Sequence, residues 1–246
     1  MQKNLLTVCG LSSVRAVADA TPELIERLFF DEKNAPLFAA ACRKLAQARK
    51  TYRLVPSDEL RKITDTPHHQ GAAVVMHAPR AHALADLQAA GNALCLNDVL
   101  NPHNVGAIVR TAAFFGMQHI IVSQASFAAA MTAAAWRVAE GGLSHVKLYV
   151  YADMQAFFQW AKQANAVVAA AVRPEKGRVN ELGEILSENI RRPVLVCLGN
   201  EENGLPAAFV KACSKIFSIP GSGKIESLNV SVTAALCLEK LTTAIQ

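Results

Sequence analysis

Two hydrophobic periodicities alternate along the chain. From Ala93 onward, short apolar runs of strand length (ALCLN, HIIVS, VKLYVY, AVVAAAV, VLVCLG and KIFSIP) are separated by longer stretches with helical spacing. The intervening helices include HNVGAIVRTAAFF, DMQAFFQWAKQA and the terminal ESLNVSVTAALCLEKLTTA. Six near-continuous apolar strands alternating with helices predict an α/β fold: a mostly parallel sheet with helices on both faces. The first 80 residues are patterned differently. TPELIERLFF opens on Thr-Pro, an N-cap and a first helical position, and predicts a short helix leading into a strand. A helical run over 35–50 follows, then strands at YRLVP and GAAVVMH with a helix start at Ser-Asp-Glu-Leu between them. A small N-terminal α/β domain over 1–80 is therefore expected. AHALADLQAAGN lacks strand patterning and bulk, which makes 81–92 a linker and 93–246 a second domain large enough to fold alone.

Composition narrows the class. Of 246 residues, 52% are hydrophobic and 18% charged, too apolar for a disordered chain. The apolar runs nevertheless stop well short of the ~20 residues that span a bilayer. MQKNLLTVCGLSS has one Lys and too short an apolar stretch for a secretory signal, so a cytoplasmic protein with no membrane partner is expected. The six cysteines form no C-x-x-C pair and several lie in apolar runs, as reduced core residues do. His68 and His69 have no cysteine nearby in sequence, and no metal site is expected. The net charge of +5 is uneven: residues 1–80 carry 12 Lys and Arg against 8 acids, the remainder 13 against 12. Arg43, Lys44, Arg49, Lys50 and Arg53 fall within eleven residues, a density that suits either phosphate contacts or a solvated helix face.

In an open parallel sheet, ligands bind outside the carboxyl ends of the strands, so polar residues there carry information. After ALCLN, Asn101 and Pro102 make a turn, Asn104 is a candidate helix cap, and Arg110 lies six residues further on. Six steps of about 100° leave about 240° between the two side chains, so they converge only if Asn104 lies in the cap. After VLVCLG, NEENGLP places two adjacent carboxylates beside a buried strand end, which is costly unless they are paired or functional. After KIFSIP, GSGKIESLNVSV is a glycine-rich entry to the last helix, whose open N–H groups suit an anion or polar ligand. It is not a P-loop, because Ser218 and Ile225 stand where that motif needs Gly and Ser or Thr. No G-x-G-x-x-G follows any strand, so nucleotide hydrolysis and hydride transfer both lose support.

Together, NPHNVGAIVRTA, LGNEENGLP and IPGSGKIESLNVSV closely resemble the three ordered motifs of the SpoU, or TrmH, family of RNA ribose 2′-O-methyltransferases. GLSSVRAV and HQGAAVV resemble that family's small substrate-binding domain. The resemblance implies a deep trefoil knot in the C-terminal part, a homodimer, S-adenosyl-L-methionine as cofactor, and rRNA or tRNA as substrate. Carried over by motif position, it implies catalytic roles for Asn104, Arg110, Glu201, Ser227 and Asn229. It also implies cofactor contacts from the backbones of Gly199, Ile219 and Leu228. Arg110 is expected to clamp the phosphate beside the target ribose, since a guanidinium seldom gives up its proton. The chain departs from the family's pattern at Glu202, at Gly221 and at 139–142, which reads AEGG. The alternative is a non-catalytic RNA-binding or ribosome-assembly protein that retains the fold. Cofactor binding separates the two.

Overall fold

Two sheets organise the computed structural model, which describes residues 5–87, 91–173 and 180–243. The smaller unit runs β1 (Leu5–Cys9), α1 (Leu11–Ala20), β2 (Ile25–Phe30), α2 (Ala39–Gln47), β3 (Thr51–Leu54), α3 (Ser57–Thr64), β4 (Ala72–His77). Its strand order is β1-β4-β2-β3, with β4 antiparallel to both its neighbours and β3 parallel to β2. The hydrophobic pattern did not predict β1 or α1: LLTVC buries only Val8 and Cys9, so its apolar signal is faint. The helix expected at TPELIERLFF shrinks to a single 3-10 turn, Pro22–Leu24, and Thr21 makes no side-chain capping bond. Pairing with β4 buries Ile25, Leu28, Phe29 and Phe30 and overrides the local helical signal.

The larger unit begins with β5 (His82–Ala83), β6 (Ala93–Leu96), α4 (Pro102–Phe114), β7 (His119–Val122), α5 (Gln124–Ala130) and α6 (Ala133–Ala139). It continues through β8 (Lys147–Val150), α7 (Met154–Gln163), β9 (Val167–Ala171), α8 (Leu182–Glu188) and β10 (Val194–Leu198). It ends with α9 (Ala207–Ala212), β11 (Lys215–Phe217) and α10 (Val230–Thr243). The strands are all parallel, in the order β11-β9-β10-β6-β7-β8-β5. Every strand expected from the apolar runs is present. The stretch expected as a linker adds β5 at the sheet edge and buries Leu84 and Leu87 in the same core as Phe157. Residues 88–90 of that stretch, and Ala244 at the end of the expected terminal helix, lie outside the described residues.

Alternate strand residues feed two cores. Leu94, Leu96, Ile120, Val122, Val194 and Val196 meet α4, α6, α8 and α10 on one face. Cys95, Ile121, Leu195 and Cys197 meet α7 and α9 on the other. Each fully buried Leu, Ile or Val contributes roughly 1.5–3 kcal/mol, so both faces must be covered for the sheet to persist. The first core also takes in Val14, Val17 and Phe38 of the small unit, and Ser13 Oγ donates to the Trp136 carbonyl at 2.9 Å. The two units therefore pack on one another.

The chain lays β7 and β8 on one side of β6, then crosses back to place β9, β10 and β11 on the other. Strand order thus reverses between β6 and β10. At such a switch point the loops after two adjacent parallel strands part and open a crevice.

Candidate active site

The loops after β6 and β10 start side by side, where the Asn97 N–H donates to the Leu198 carbonyl at 2.8 Å. Asn101 caps α4, its Oδ1 accepting from the His103 N–H at 2.9 Å, and Pro102 takes the first helical position. Asn104, expected as a cap, lies instead within the first turn and is buried. The condition for its convergence with Arg110 is therefore not met. Asn104 points into the crevice, whereas Arg110 is exposed.

Three loops are tied together at Asn104. Its Nδ2 donates to Glu201 Oε1 at 3.0 Å, and its Oδ1 accepts from Asn229 Nδ2 at 3.2 Å. A single amide can donate to one loop and accept from another, which neither a carboxylate nor an apolar side chain can do. Glu201 also accepts from the backbone N–H groups of Leu100 at 3.3 Å and Asn101 at 3.2 Å. Asn229 Oδ1 accepts from the Ser231 N–H at 2.8 Å and hydroxyl at 2.6 Å, which fixes the start of α10. Partial burial pushes the Glu201 carboxyl up. Hydrogen bonds from Asn104 and from the backbone N–H groups of Glu201, Asn101 and Leu100 outweigh that push and hold it below the ordinary carboxylate range.

The loop after β10 is equally constrained. Asn200 Nδ2 donates to the Asp98 carbonyl at 3.0 Å, and Asn200 Oδ1 accepts from the N–H groups of Glu202 at 3.0 Å and Asn203 at 3.1 Å. The chain folds back so closely that a Cβ on Gly199 would lie 2.2 Å from the Gly204 carbonyl carbon. Only glycine fits at 199.

Between this loop, the exit of β9 and the segment 219–229 lies a cleft of about 540 Å³. Gly199, Glu201, Ile219, Ser227, Leu228 and Asn229 all line it, alongside Val172, Leu198, Arg173 and Glu226. The structure thus gathers the expected residues around one cleft, with Asn104 bridging its loops, and leaves Arg110 apart, its Nη1 3.0 Å from Glu140 Oε1. The segment 226–229, expected to begin the last helix, is irregular and forms cleft wall, and α10 starts at Val230. Arg173 was missed from the sequence. Its Nη2 donates to the Glu202 carbonyl at 2.7 Å and its Nη1 lies 3.5 Å from Glu226 Oε2, so it joins the exit of β9 to both other loops. The signal was an arginine two residues beyond the end of β9. Among the described residues, no group of three His, Cys, Asp or Glu side chains is placed to hold a metal ion. No helix among them is long and apolar enough to cross a membrane.

A parallel α/β sheet with a cleft at its switch point lined by both polar and apolar residues, joined to a small α/β unit, defines a ligand-binding class of protein. Comparison with known proteins identifies which one. Residues 91–239 match the SpoU rRNA Methylase family, and residues 7–81 match RNA 2′-O ribose methyltransferase substrate binding. The chain belongs to the SpoU rRNA Methylase family, as its motifs implied. The 23S rRNA (guanosine-2′-O-)-methyltransferase RlmB of Acinetobacter baylyi is 30% identical over 244 residues, covering 93% of this chain and 93% of that one. The RlmB of Nitrosomonas europaea is 28% identical over 237 residues, covering 94% of this chain and 88% of that one. The Escherichia coli O157:H7 protein named uncharacterized tRNA/rRNA methyltransferase YfiF is 29% identical over 235 residues, 94% of this chain but only 66% of its own length. An AdoMet-bound rRNA methyltransferase from Sinorhizobium meliloti shares the fold, with a TM-score of 0.81 at 20% identity, covering 99% of this chain and 88% of that one.

Proposed function

We propose that this protein is an S-adenosyl-L-methionine-dependent RNA ribose 2′-O-methyltransferase, with ribosomal RNA, the substrate named for its RlmB relatives, as the preferred substrate. The supporting observation is the Asn104–Glu201–Asn229 bridge, which ties three loops around one cleft at the switch point. The cleft fits the cofactor. Its volume of about 540 Å³ falls within the roughly 300–1,000 Å³ of small-molecule sites. Apolar walls at Val172, Ile219 and Leu228 suit a purine, while Arg173 and Glu226 offer charges of both signs to a ligand carrying a carboxylate, an ammonium and a sulfonium. When bound, the cofactor supplies an electrophilic methyl group.

The chain's own residues bind and orient. Gly199, Ile219 and Leu228 hold the cofactor through backbone and apolar contact, and Ser227 offers it a hydroxyl on the cleft wall. Asn104 and Asn229 keep the loops in register. Glu201 is a clip: its oxygens already accept from Asn104 and two backbone N–H groups, which keeps it ionised and occupied. Arg110 clamps the phosphate next to the target ribose, since its planar fork matches phosphate and fixes the 2′-hydroxyl for in-line attack. A guanidinium supplies geometry and charge.

Finer features belong to the same reading. The chain leaves β11 at the sheet edge, passes the loop after β10 and reaches α10 against α4, a path that supports a trefoil knot. Phe114 on α4 and Val232 and Leu236 on α10 are exposed, which supports a homodimer formed over these helices. Exposed Arg43, Lys44 and Arg49 support RNA binding by residues 1–80, with 81–92 joining them to the methyl-transferring unit 93–246. A cytoplasmic location accords with an RNA substrate. Calorimetric titration with S-adenosyl-L-methionine tests the function, followed by transfer of labelled methyl to ribosomal RNA. Saturable binding and transfer are expected. RNA binding with no saturable cofactor binding would turn the conclusion to the non-catalytic alternative.

A further inference from the structure

Helix α6 ends on Glu140, whose backbone is left-handed at φ 44° and ψ 43°, a conformation that favours Gly or Asn. The next two residues leave no room for side chains. A Cβ on Gly141 would lie 2.7 Å from Ala16 Cβ and 3.3 Å from the Ser12 carbonyl oxygen, both in α1 of the small unit. A Cβ on Gly142 would lie 3.1 Å from both Arg110 Cα and the Val109 carbonyl oxygen in α4. The segment 140–142 is thus wedged between the small unit and the backbone of α4 at Arg110. From this wedge the Glu140 carboxylate reaches Arg110, with Oε1 3.0 Å from Nη1. Both side chains are about half exposed, 55% for Arg110 and 49% for Glu140. Exposed ion pairs of this kind add little to stability. The pair instead determines where a long, many-rotamer side chain points.

We propose that Glu140 is a positioning residue for Arg110: it anchors one guanidinium nitrogen from a rigid loop seated on the small unit and leaves the remaining N–H groups to an RNA phosphate. This rests on the function proposed above, in which Arg110 clamps that phosphate. Glu140 has two effects of opposite sign. Its ion pair with Nη1 pre-orients the fork, which lowers the ordering cost when RNA binds. Its negative charge opposes the incoming phosphate, which weakens binding.

Charge and geometry separate in three variants assayed on the full-length protein with ribosomal RNA. Glu140→Ala removes both effects, and kcat is expected to fall about 10- to 100-fold with S-adenosyl-L-methionine affinity and melting temperature unchanged. Glu140→Gln keeps an acceptor oxygen without the charge. It is expected to recover most of kcat and to bind RNA several-fold more tightly than wild type. In an Arg110→Lys background the Glu140→Ala loss should shrink, because the effect passes through the guanidinium. The proposal is overturned if Glu140→Ala turns over within twofold of wild type, if its loss comes with an equal loss of cofactor affinity or melting temperature, if Gln loses as much as Ala, or if the loss is undiminished in the Lys background. Should the wild type bind no cofactor, the functional reading fails by itself and Glu140 is read from RNA affinity alone. Tighter binding by Glu140→Gln than by Glu140→Ala then supports the positioning of Arg110 against phosphate, and equal affinity of the two variants overturns it.

Discussion

Helix α4 carries two polar centres six residues apart, and they are built on opposite principles. Asn104 is 9% exposed and has donor and acceptor both satisfied, by Glu201 and Asn229. Arg110 is more than half exposed and shares an ion pair with Glu140 across solvent. A buried amide left unpaired costs about 1–3 kcal/mol, so the first centre is close to all-or-none and holds its loops in one arrangement. An exposed pair is worth roughly 0–1 kcal/mol, so the second orients one side chain without closing it off, and its remaining N–H groups stay open to solvent. Under the proposed function, one helix thereby separates the task of holding a small ligand from that of meeting a large one.

The largest effect expected tests the exposed centre. Arg110→Lys should lose on the order of 100-fold in single-turnover methyl transfer while keeping its fold and cofactor affinity, because an ammonium cannot reproduce the fork. Turnover near wild type would break the contrast from that side. The buried centre is probed by Asn104→Ala, which removes a donor and an acceptor at once. A loss of roughly 1–3 kcal/mol in denaturant unfolding, together with weaker S-adenosyl-L-methionine binding, is the expected outcome. Unchanged stability and affinity would show that the three loops hold without their bridge.

A pH series sharpens the comparison further. Glu201 is held below the ordinary carboxylate range. Its stabilising contribution is therefore fully present above the unfolded value of about 4.3 and is lost as pH falls through the lowered folded value. Wild type should lose melting temperature between about pH 5 and pH 3 more steeply than Glu201→Gln, and parallel curves would remove Glu201 from the bridge's energetics. The smallest effect contrasts the two units. Arg53 pairs with Glu59 at 3.4 Å and Lys50 donates to the Glu23 carbonyl at 2.6 Å, whereas Arg43, Lys44 and Arg49 are exposed with no ion pair among the described residues. Replacing these three by Ala should lower the slope of log affinity for RNA against log salt by about 2, with cofactor affinity unmoved. An unchanged slope would make the cluster a solvated helix face.

The site was legible in the sequence to different depths. Glu201 stood out with Glu202 because both follow a buried strand, where ligands of parallel sheets bind, and Gly199 was found by motif. Ser227, Leu228 and Asn229 were found by motif, although their segment proved to be cleft wall and not helix. The six-residue spacing of Asn104 and Arg110 left their convergence to one condition, that Asn104 is the cap, and the helix start decided against it. Helix α4 begins at Pro102, capped by Asn101, and this start fixes the rotation of every residue after it.

What the sequence determined by itself was the set of buried strands in the larger sheet, the class of fold and the family. A strand covered on both faces must be apolar along its length, and that requirement is written locally in runs such as VLVCL and ALCL. Tertiary structure decided the rest. Whether TPELIERLFF became helix or strand depended on β4, more than 40 residues away. The partners of Asn104 lie 97 and 125 residues along the chain. No periodicity encodes such a meeting, because a side-chain hydrogen bond forms only where strand order reverses and brings three loops to one place.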